Sequence, residues 1–208
     1  MFDVNRYATA ARSIVDAGRF LYDRGWSPAT SSNYSARLDN DHVAITVSGR
    51  HKGQLSTNDV MVVDLEGNPV QSCSKSSAET LLHTVLYQIY PEVGAVLHTH
   101  SVKATVLSRL IDAGAPFEVE GYELQKAFPG VDSHDGHLRI PVFDNTQDIP
   151  ALAERTREWF QHHPEQPGYL IRGHGLYTWG ATMADCLRHV EAFEFLFECE
   201  LETMRVCR

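Results

Sequence analysis

The chain has 208 residues, 43% of them hydrophobic and 22% charged, so it is long enough and apolar enough to bury a substantial core. Its formal net charge of -9 argues against nucleic-acid binding, because its 18 lysine and arginine residues are scattered along the chain. The N-terminal segment lacks the apolar core of a signal peptide, and no stretch approaches the length of a membrane span. These features predict one domain over residues 1–208, in the cytoplasm, with no membrane or nucleic-acid partner.

The spacing of apolar residues predicts a mixture of helices and short strands. A three-and-four spacing indicates an amphipathic N-terminal helix over 4–21, which Gly25 ends. Further helices are predicted over 76–89, 102–110, 149–162 and 182–206. Strands are predicted at 34–38, 42–47, 60–65, 94–98, 138–143, 169–172 and 176–179. Strands in pairs, with helices at intervals, indicate a mixed or antiparallel sheet with helices packed on it.

The strand before residue 98 leads into two histidines separated by one residue. Because side chains two apart in a strand point to the same face, His98 and His100 can present their imidazoles together to a divalent ion. A third ligand is needed, and His174 is the best candidate because it follows an apolar strand between Gly173 and Gly175. An HxH pair alone also fits an ordinary strand end, but the similar layout of the second segment favours a metal site.

Several polar segments offer hydrogen-bond donors to an anion. The candidates are Ser32, Asn33, Ser48, Gly49, Lys52 and Ser77. Backbone amides in a glycine-bearing loop can form an anion nest, to which Lys52 adds a positive charge. The start of the helix near Ser77 adds the positive end of a helix dipole. Each segment taken singly also fits an ordinary turn or helix cap, whereas together they favour a phosphate site near the metal motif.

Taken as a set, these segments resemble the class II aldolase family. The stretch from Ser76 to Ser101 is similar to the family's helix, strand and HxH core, and the stretch from Tyr169 to Gly180 is similar to its third-ligand segment. The resemblance covers nearly the whole chain and implies an α/β fold of layered α+β type, with a central, mostly antiparallel sheet sandwiched by helices. It also implies one zinc ion per subunit on His98, His100 and His174. A small sugar-phosphate substrate and a homotetramer with sites at subunit borders are implied as well.

Within the family, the resemblance is closest to dehydratases of methionine salvage, most clearly over 119–152 and 189–202. It implies zinc-dependent elimination of water from 5-methylthioribulose 1-phosphate, giving a 2,3-diketone phosphate. Glu123 matches the catalytic acid and base of those dehydratases. From the residues alone, Glu123 would be a solvated carboxylate on a helix face.

A second carboxylate, Glu79, has three possible roles. It has the spacing of a capping box with Ser76. The resemblance also gives it the spacing of a glutamate that acts in family aldolases, four residues before His83. Alternatively, it orients a metal ligand from outside the coordination sphere. We expect Glu123 rather than Glu79 to act in dehydration; the alternatives are a sugar-phosphate aldolase or 4-epimerase, and a non-catalytic adducin-like module.

Overall fold

The computed structural model describes residues 2–70 and 72–207. Over these residues the helices are α1 (Val4–Asp23), α2 (Thr80–Ile89), α3 (Val102–Leu110), α4 (Ile149–His162) and α5 (Met183–Val206). The strands are β1 (Asn33–Arg37), β2 (His42–Thr46), β3 (Val60–Asp64), β4 (Ala95–Thr99), β5 (Phe117–Val119), β6 (Leu138–Ile140), β7 (Val142–Phe143), β8 (Gly168–Ile171) and β9 (Gly175–Gly180). None of the helices in the described ranges combines the length and the apolarity needed to cross a bilayer.

Seven strands form one sheet in the order β3-β2-β1-β4-β9-β8-β7, and β5 and β6 form a separate pair. Neighbouring strands in the sheet are antiparallel except β7 and β8, which run parallel. The predicted α/β fold with a mostly antiparallel sheet is therefore confirmed. Because β4 lies in the middle of the sheet, the residues that follow it are flanked by strands on both sides.

Helices cover both faces of this sheet. One apolar cluster lies between the sheet and the helices α2 and α4, and a second lies between the other face and the helices α1 and α5. The side chains of β4 alternate between them, since Val96 belongs to the first cluster whereas Ala95 and Leu97 belong to the second. Burial on both faces fixes the register of β4, because a slip by one residue would move each side chain to the opposite cluster.

The segment predicted as one strand over 138–143 is two strands. Pro141 lies between β6, which pairs with β5, and β7, which pairs with β8. Proline has no amide hydrogen for a strand ladder, but its carbonyl still accepts a hydrogen bond of 2.9 Å from the Leu170 amide. The chain therefore changes partner strands at this residue.

The predicted capping box of Ser76 and Glu79 is wrong. The helix α2 begins at Thr80 with Glu79 at the N-cap position, and the Glu79 side chain makes no capping hydrogen bond. The Ser77 hydroxyl instead accepts a hydrogen bond of 3.2 Å from the Glu79 amide. A neighbouring serine thus satisfies the backbone, and the Glu79 carboxylate is available for other contacts.

Candidate metal centre

Three imidazoles meet where β4 ends and where β8 turns into β9. The ring centroids of His98 and His100 are 4.5 Å apart, and the His174 centroid is 4.9 Å from that of His98 and 4.5 Å from that of His100. The structure thus brings together the three histidines that the sequence singles out. The central position of β4, paired with β9, accounts for this convergence between distant parts of the chain.

His98 is held in one orientation from two sides. Its ring is fully buried and stacks on Tyr177, the residue opposite it in β9, at a centroid distance of 4.0 Å. Its Nδ1 lies 2.9 Å from the carbonyl oxygen of Leu176. A carbonyl can only accept, so the neutral ring carries its proton on Nδ1. The unprotonated Nε2 consequently faces the other histidines.

Glycine is required on each side of His174 for a different structural reason. Gly173 adopts a φ of 65°, in the left-handed region that favours glycine. A Cβ atom at Gly175 would lie 1.9 Å from the carbonyl oxygen of Thr99, so only glycine permits the close approach of the two strands. The carbonyl of His174 also accepts a hydrogen bond of 3.1 Å from the Thr105 hydroxyl. These contacts fix the turn that presents the His174 ring.

Glu79 joins the three histidines as a fourth member of the cluster. Its Oε1 lies 3.2 Å from His174 Nε2, and its Oε2 lies 3.4 Å from His98 Nε2. One potential ligand atom from each of Glu79, His98, His100 and His174 lies within 4.8 Å of the others. The structure therefore places the Glu79 carboxylate at ligand distance, a position that the capping-box interpretation did not include.

The cluster has the dimensions and protonation state that a divalent cation requires. Ligands bound about 2.0–2.1 Å from a tetrahedral ion stand about 3.3–3.5 Å apart. The separations of Glu79 from His174, His98 from His174 and Glu79 from His98 are 3.2, 3.3 and 3.4 Å. Burial, followed by the neighbouring histidines, lowers the pKa of His98 well below its usual value, and burial lowers the pKa of His100 to about 3. Both imidazoles are neutral at pH 7, as metal ligands must be.

A buried hydrogen-bond network orients the Glu79 carboxylate. The Asn33 amide nitrogen donates a hydrogen bond of 2.8 Å to Glu79 Oε2, and the Asn33 amide oxygen accepts a hydrogen bond from His83 Nε2. Since His83 Nε2 carries the proton, its Nδ1 accepts the bond of 2.7 Å from the Ser35 hydroxyl. Burial lowers the pKa of His83 to about 3, so the ring is neutral and has one tautomer.

A cavity of about 550 Å³ includes Glu79, His100 and His174 in its wall. The six residues predicted to bind phosphate, Ser32, Asn33, Ser48, Gly49, Lys52 and Ser77, all line the same cavity. Anion donors from three separate parts of the chain are therefore gathered beside the metal cluster. Their role in binding phosphate stays a prediction.

Lys52 and Ser32 are unusual members of this wall. Lys52 is 1% exposed, and its Nζ donates hydrogen bonds to the carbonyl oxygens of Arg50 at 2.7 Å and Thr30 at 3.3 Å. Burial lowers the Lys52 pKa to about 8. Ser32 has a φ of 71°, and its buried hydroxyl has no hydrogen-bond partner among the described residues. Both side chains thus have donor capacity for a ligand.

Glu123 lies apart from this cavity in the chain's own structure. It begins a 3-10 turn over Glu123–Ala127, and its carboxylate pairs with Lys126 at 2.6 Å with 74% of the Glu123 side chain exposed. It is not among the residues that line the cavity. The structure therefore does not bring Glu123 to the three histidines within one subunit, and its catalytic role stays a prediction.

A family model described as "Class II Aldolase and Adducin N-terminal domain" matches residues 12–201. The chain belongs to the class II aldolase and adducin family. This membership confirms the resemblance inferred from the histidine segments.

Members of the family with solved structures share the fold at low identity. L-fuculose 1-phosphate aldolase has a TM-score of 0.80 at 20% identity and covers 96% of this chain and 88% of its own. An L-fuculose-1-phosphate aldolase from Thermus thermophilus has a TM-score of 0.73 at 21% identity, with 96% and 95% covered.

Some relatives within the class II aldolase family are much more similar in sequence. Methylthioribulose-1-phosphate dehydratase from Marinobacter nauticus is 83% identical over 208 residues, which is 100% of both chains. The protein with the same name from Hahella chejuensis is 62% identical over 206 residues, or 99% of both chains. These matches confirm the resemblance to dehydratases that the sequence analysis infers.

The sequence alone did not predict which residues orient the side chains of the candidate metal centre. Asn33 was predicted only as a phosphate donor, and Tyr177 was not singled out. His83 has a sequence signal for this role, because it lies four residues after Glu79 on the same face of α2. The Tyr177 contact had no sequence signal, because it depends on the register that places Tyr177 opposite His98.

Proposed function

We propose that this chain, as one domain over residues 1–208, removes water from 5-methylthioribulose 1-phosphate and forms 2,3-diketo-5-methylthiopentyl 1-phosphate in methionine salvage. Two curated relatives named for this dehydratase activity are 83% and 62% identical over nearly their whole length. The single observation that carries the proposal is the convergence of His98, His100, His174 and Glu79 at ligand distances beside the cavity that holds the candidate phosphate donors.

The reaction needs one proton removed and one hydroxyl group expelled. The C3 proton is acidic because C3 adjoins the C2 carbonyl. Its removal leaves an electron pair that shifts to expel the C4 hydroxyl as water, and the resulting C3–C4 enol becomes the diketone. One divalent cation, held by His98, His100 and His174, would act as a Lewis acid that stabilises negative charge on the substrate oxygens. Three imidazole ligands favour zinc among the common divalent ions.

The phosphate group is bound by the polar wall of the cavity. Lys52 supplies a positive charge, and backbone amides around Ser48 and Gly49 supply directional donors. Ser32 and Ser77 add hydroxyl groups, and the unpartnered Ser32 hydroxyl supports this role. Binding at this wall holds the C3 proton in a fixed position relative to the catalytic carboxylate.

Glu123 acts as the base at C3 and then as the acid for the leaving C4 hydroxyl. Because it is exposed and lies outside its own subunit's cavity, we place it in the cavity of a neighbouring subunit of a homotetramer. An exposed apolar stripe on α3 supports an oligomer, with Val102, Val106 and Leu110 exposed by 75%, 42% and 45%. Their spacing of four residues puts all three on one face of the helix.

One observation favours a second candidate reaction. The Glu79 carboxylate lies in the wall of the cavity, so it is placed to move a proton without help from another subunit. That placement suits a sugar-phosphate aldolase or 4-epimerase, in which the C3–C4 bond is broken or remade. In a non-catalytic adducin-like module, by contrast, the metal ligands would have no reaction to support.

Incubation of the purified protein with 5-methylthioribulose 1-phosphate tests the proposal. We expect the diketone phosphate as the product, detected by NMR. Dihydroxyacetone phosphate and methylthioacetaldehyde, without diketone, would instead identify an aldolase. Absence of both turnover and bound metal in freshly purified protein would favour the adducin-like module. Glu123→Gln should retain the metal and lose dehydration, whereas His98→Ala should lose both.

A further inference from the structure

The cavity beside the metal centre has walls of different chemistry on the two sides of the ligands. The sheet order places β4 and β9, which carry or flank the histidines, between β2 on one side and β7 on the other. The loop after β2 contributes Ser48, Gly49 and Lys52 to the cavity, and the segment after β7 contributes Thr146, Gln147, Ile149 and Pro150. The donors of the loop after β2 and the start of α4 therefore reach the cavity from strands on opposite sides of β4 and β9.

Three apolar side chains line the cavity at the starts of α2 and α4. They are Leu81, Ile149 and Pro150. Leu81 and Ile149 are half-buried and pack against the core cluster beneath both helices. The first turn of α4 is also fixed, because Asp148 accepts a hydrogen bond of 3.1 Å from the Ala151 amide. Packing and the helix cap hold this apolar wall in place, and neither phosphate binding nor proton transfer uses it.

The chemical groups of the proposed substrate follow the same order as the polar donors, the metal ligands and the apolar side chains of the cavity. Its phosphate is on C1, its reacting carbons are in the middle, and its only apolar group is the methylthio group on C5. We propose that Leu81, Ile149 and Pro150 form the subsite for this methylthio group and select substrates with a thioether at C5. The inference rests on the proposed function. A thioether is polarisable and apolar, so its transfer from water to this wall is favourable.

Binding of two unreactive probes tests the subsite. The probes are 5-methylthioribitol 1-phosphate and 5-deoxyribitol 1-phosphate, which lack the C2 carbonyl and cannot lose water. They differ only in whether C5 carries the methylthio group or hydrogen. Calorimetry on the zinc-loaded protein should show the methylthio probe binding about 10-fold more tightly or better, the usual effect of a small apolar group in a matching pocket. Leu81→Ala and Ile149→Ala should each reduce this preference about 5-fold or more.

Two matched variants separate the subsite from general loss of packing. Leu65→Ala and Ile89→Ala make the same truncations at half-buried residues of the same core cluster, but neither residue lines the cavity. We expect both controls to keep the preference of the unsubstituted protein. Equal affinity for the two probes in the unsubstituted protein would overturn the inference. An unchanged preference in Leu81→Ala or Ile149→Ala would also overturn it, and one folded variant is enough for this comparison.

Turnover of the ketose phosphate distinguishes failure of the subsite from failure of the proposed reaction. Dehydration without any preference between the probes would overturn the subsite and leave the reaction standing. A clear preference between the probes without dehydration would overturn the reaction and leave the thioether subsite standing.

Discussion

The side-chain amide of Asn33 connects Glu79 to a buried histidine. Asn33 donates a hydrogen bond of 2.8 Å to Glu79 Oε2 and accepts one from His83 Nε2. Rotation of the amide would break both bonds, so the protonated edge of His83 determines how Asn33 meets the carboxylate. Tyr177 donates a further bond of 3.2 Å to the same oxygen. Glu79 Oε1, which lies beside His174, is therefore the oxygen left for other contacts.

The role of His83 can be tested through metal affinity. His83→Phe removes the donor that orients Asn33, so the Glu79 carboxylate loses its fixed direction. Glu79 lies at ligand distance from the three histidines, so a carboxylate that is no longer oriented should weaken metal binding, and we expect the Kd for zinc to rise by about 10- to 100-fold. Competition with a chromophoric chelator measures it. His189→Phe is the control, because His189 is also buried but bonds to the Trp179 carbonyl outside the cluster. Equal zinc affinity in the two variants would contradict the role.

Mixed oligomers test whether Glu123 serves a neighbouring subunit. Glu123→Gln and His98→Ala should each be inactive alone, since one lacks the base and the other lacks a metal ligand. If each site combines histidines of one subunit with Glu123 of another, equal mixing should restore about a quarter of the sites. The measurement is dehydratase activity after the two variants are unfolded and refolded together. No recovery from a mixture shown to contain both chains would mean that Glu123 does not act across the interface.

Lys52 should make phosphate binding depend on pH. Its pKa is lowered to about 8 by burial, so the charged form that attracts phosphate is lost as pH rises through that value. A phosphate monoester is already a dianion above about pH 7, because its second pKa is about 6. Affinity for 5-deoxyribitol 1-phosphate should therefore fall between pH 7.5 and 9.5, by at most about tenfold per pH unit.

Two substitutions make the assignment to Lys52 specific. Lys52→Met should weaken binding of the probe at pH 7.5 by about 10- to 100-fold and remove its pH dependence. Lys103 pairs with Glu198 and lies outside the cavity. The Lys103→Met variant should therefore bind the probe as tightly as the unsubstituted protein does. Persistence of the full pH dependence in Lys52→Met would assign the titration to another group.

The buried carboxylate of Glu194 on α5 should lower the free energy of unfolding at neutral and higher pH. It is 1% exposed, and neither carboxylate oxygen has a hydrogen-bond partner among the described residues. Burial, opposed in part by the nearby Ser101 hydroxyl and by Lys103, raises its pKa from 4.5 to about 7. Between these two values the folded state binds more protons than the unfolded state, so the free energy of unfolding falls as pH rises. The loss levels off about one pH unit above the folded-state pKa.

Glu194→Gln should remove this penalty. We expect it to raise the free energy of unfolding at pH 8 by about 1–3 kcal/mol relative to its effect at pH 5. Urea unfolding at both values measures the difference. Glu202→Gln changes an exposed carboxylate on the same helix that pairs with Arg205 and should show no such pH dependence. A Glu194→Gln effect that is equal at pH 5 and pH 8 would show that this carboxylate is not neutralised by burial.

Local sequence patterns determined the elements of this protein and the histidine segments of its candidate metal site. Apolar periodicity identified most helices and strands, because it reflects which side of a short segment is buried. The HxH pair and the glycines around His174 are equally local, since they depend on strand geometry and backbone conformation at neighbouring residues. The structure bears out the convergence of His98, His100 and His174.

Only the tertiary structure decided what meets those histidines. The sheet order placed β4 at the centre, and its register placed Tyr177 on His98. The sequence around Glu79 fitted a capping box, but the carboxylate faces the histidines and accepts hydrogen bonds from Asn33 and Tyr177. Periodicity carries information about burial over a few residues, whereas the pairing of distant strands depends on the free energy of the whole packed core.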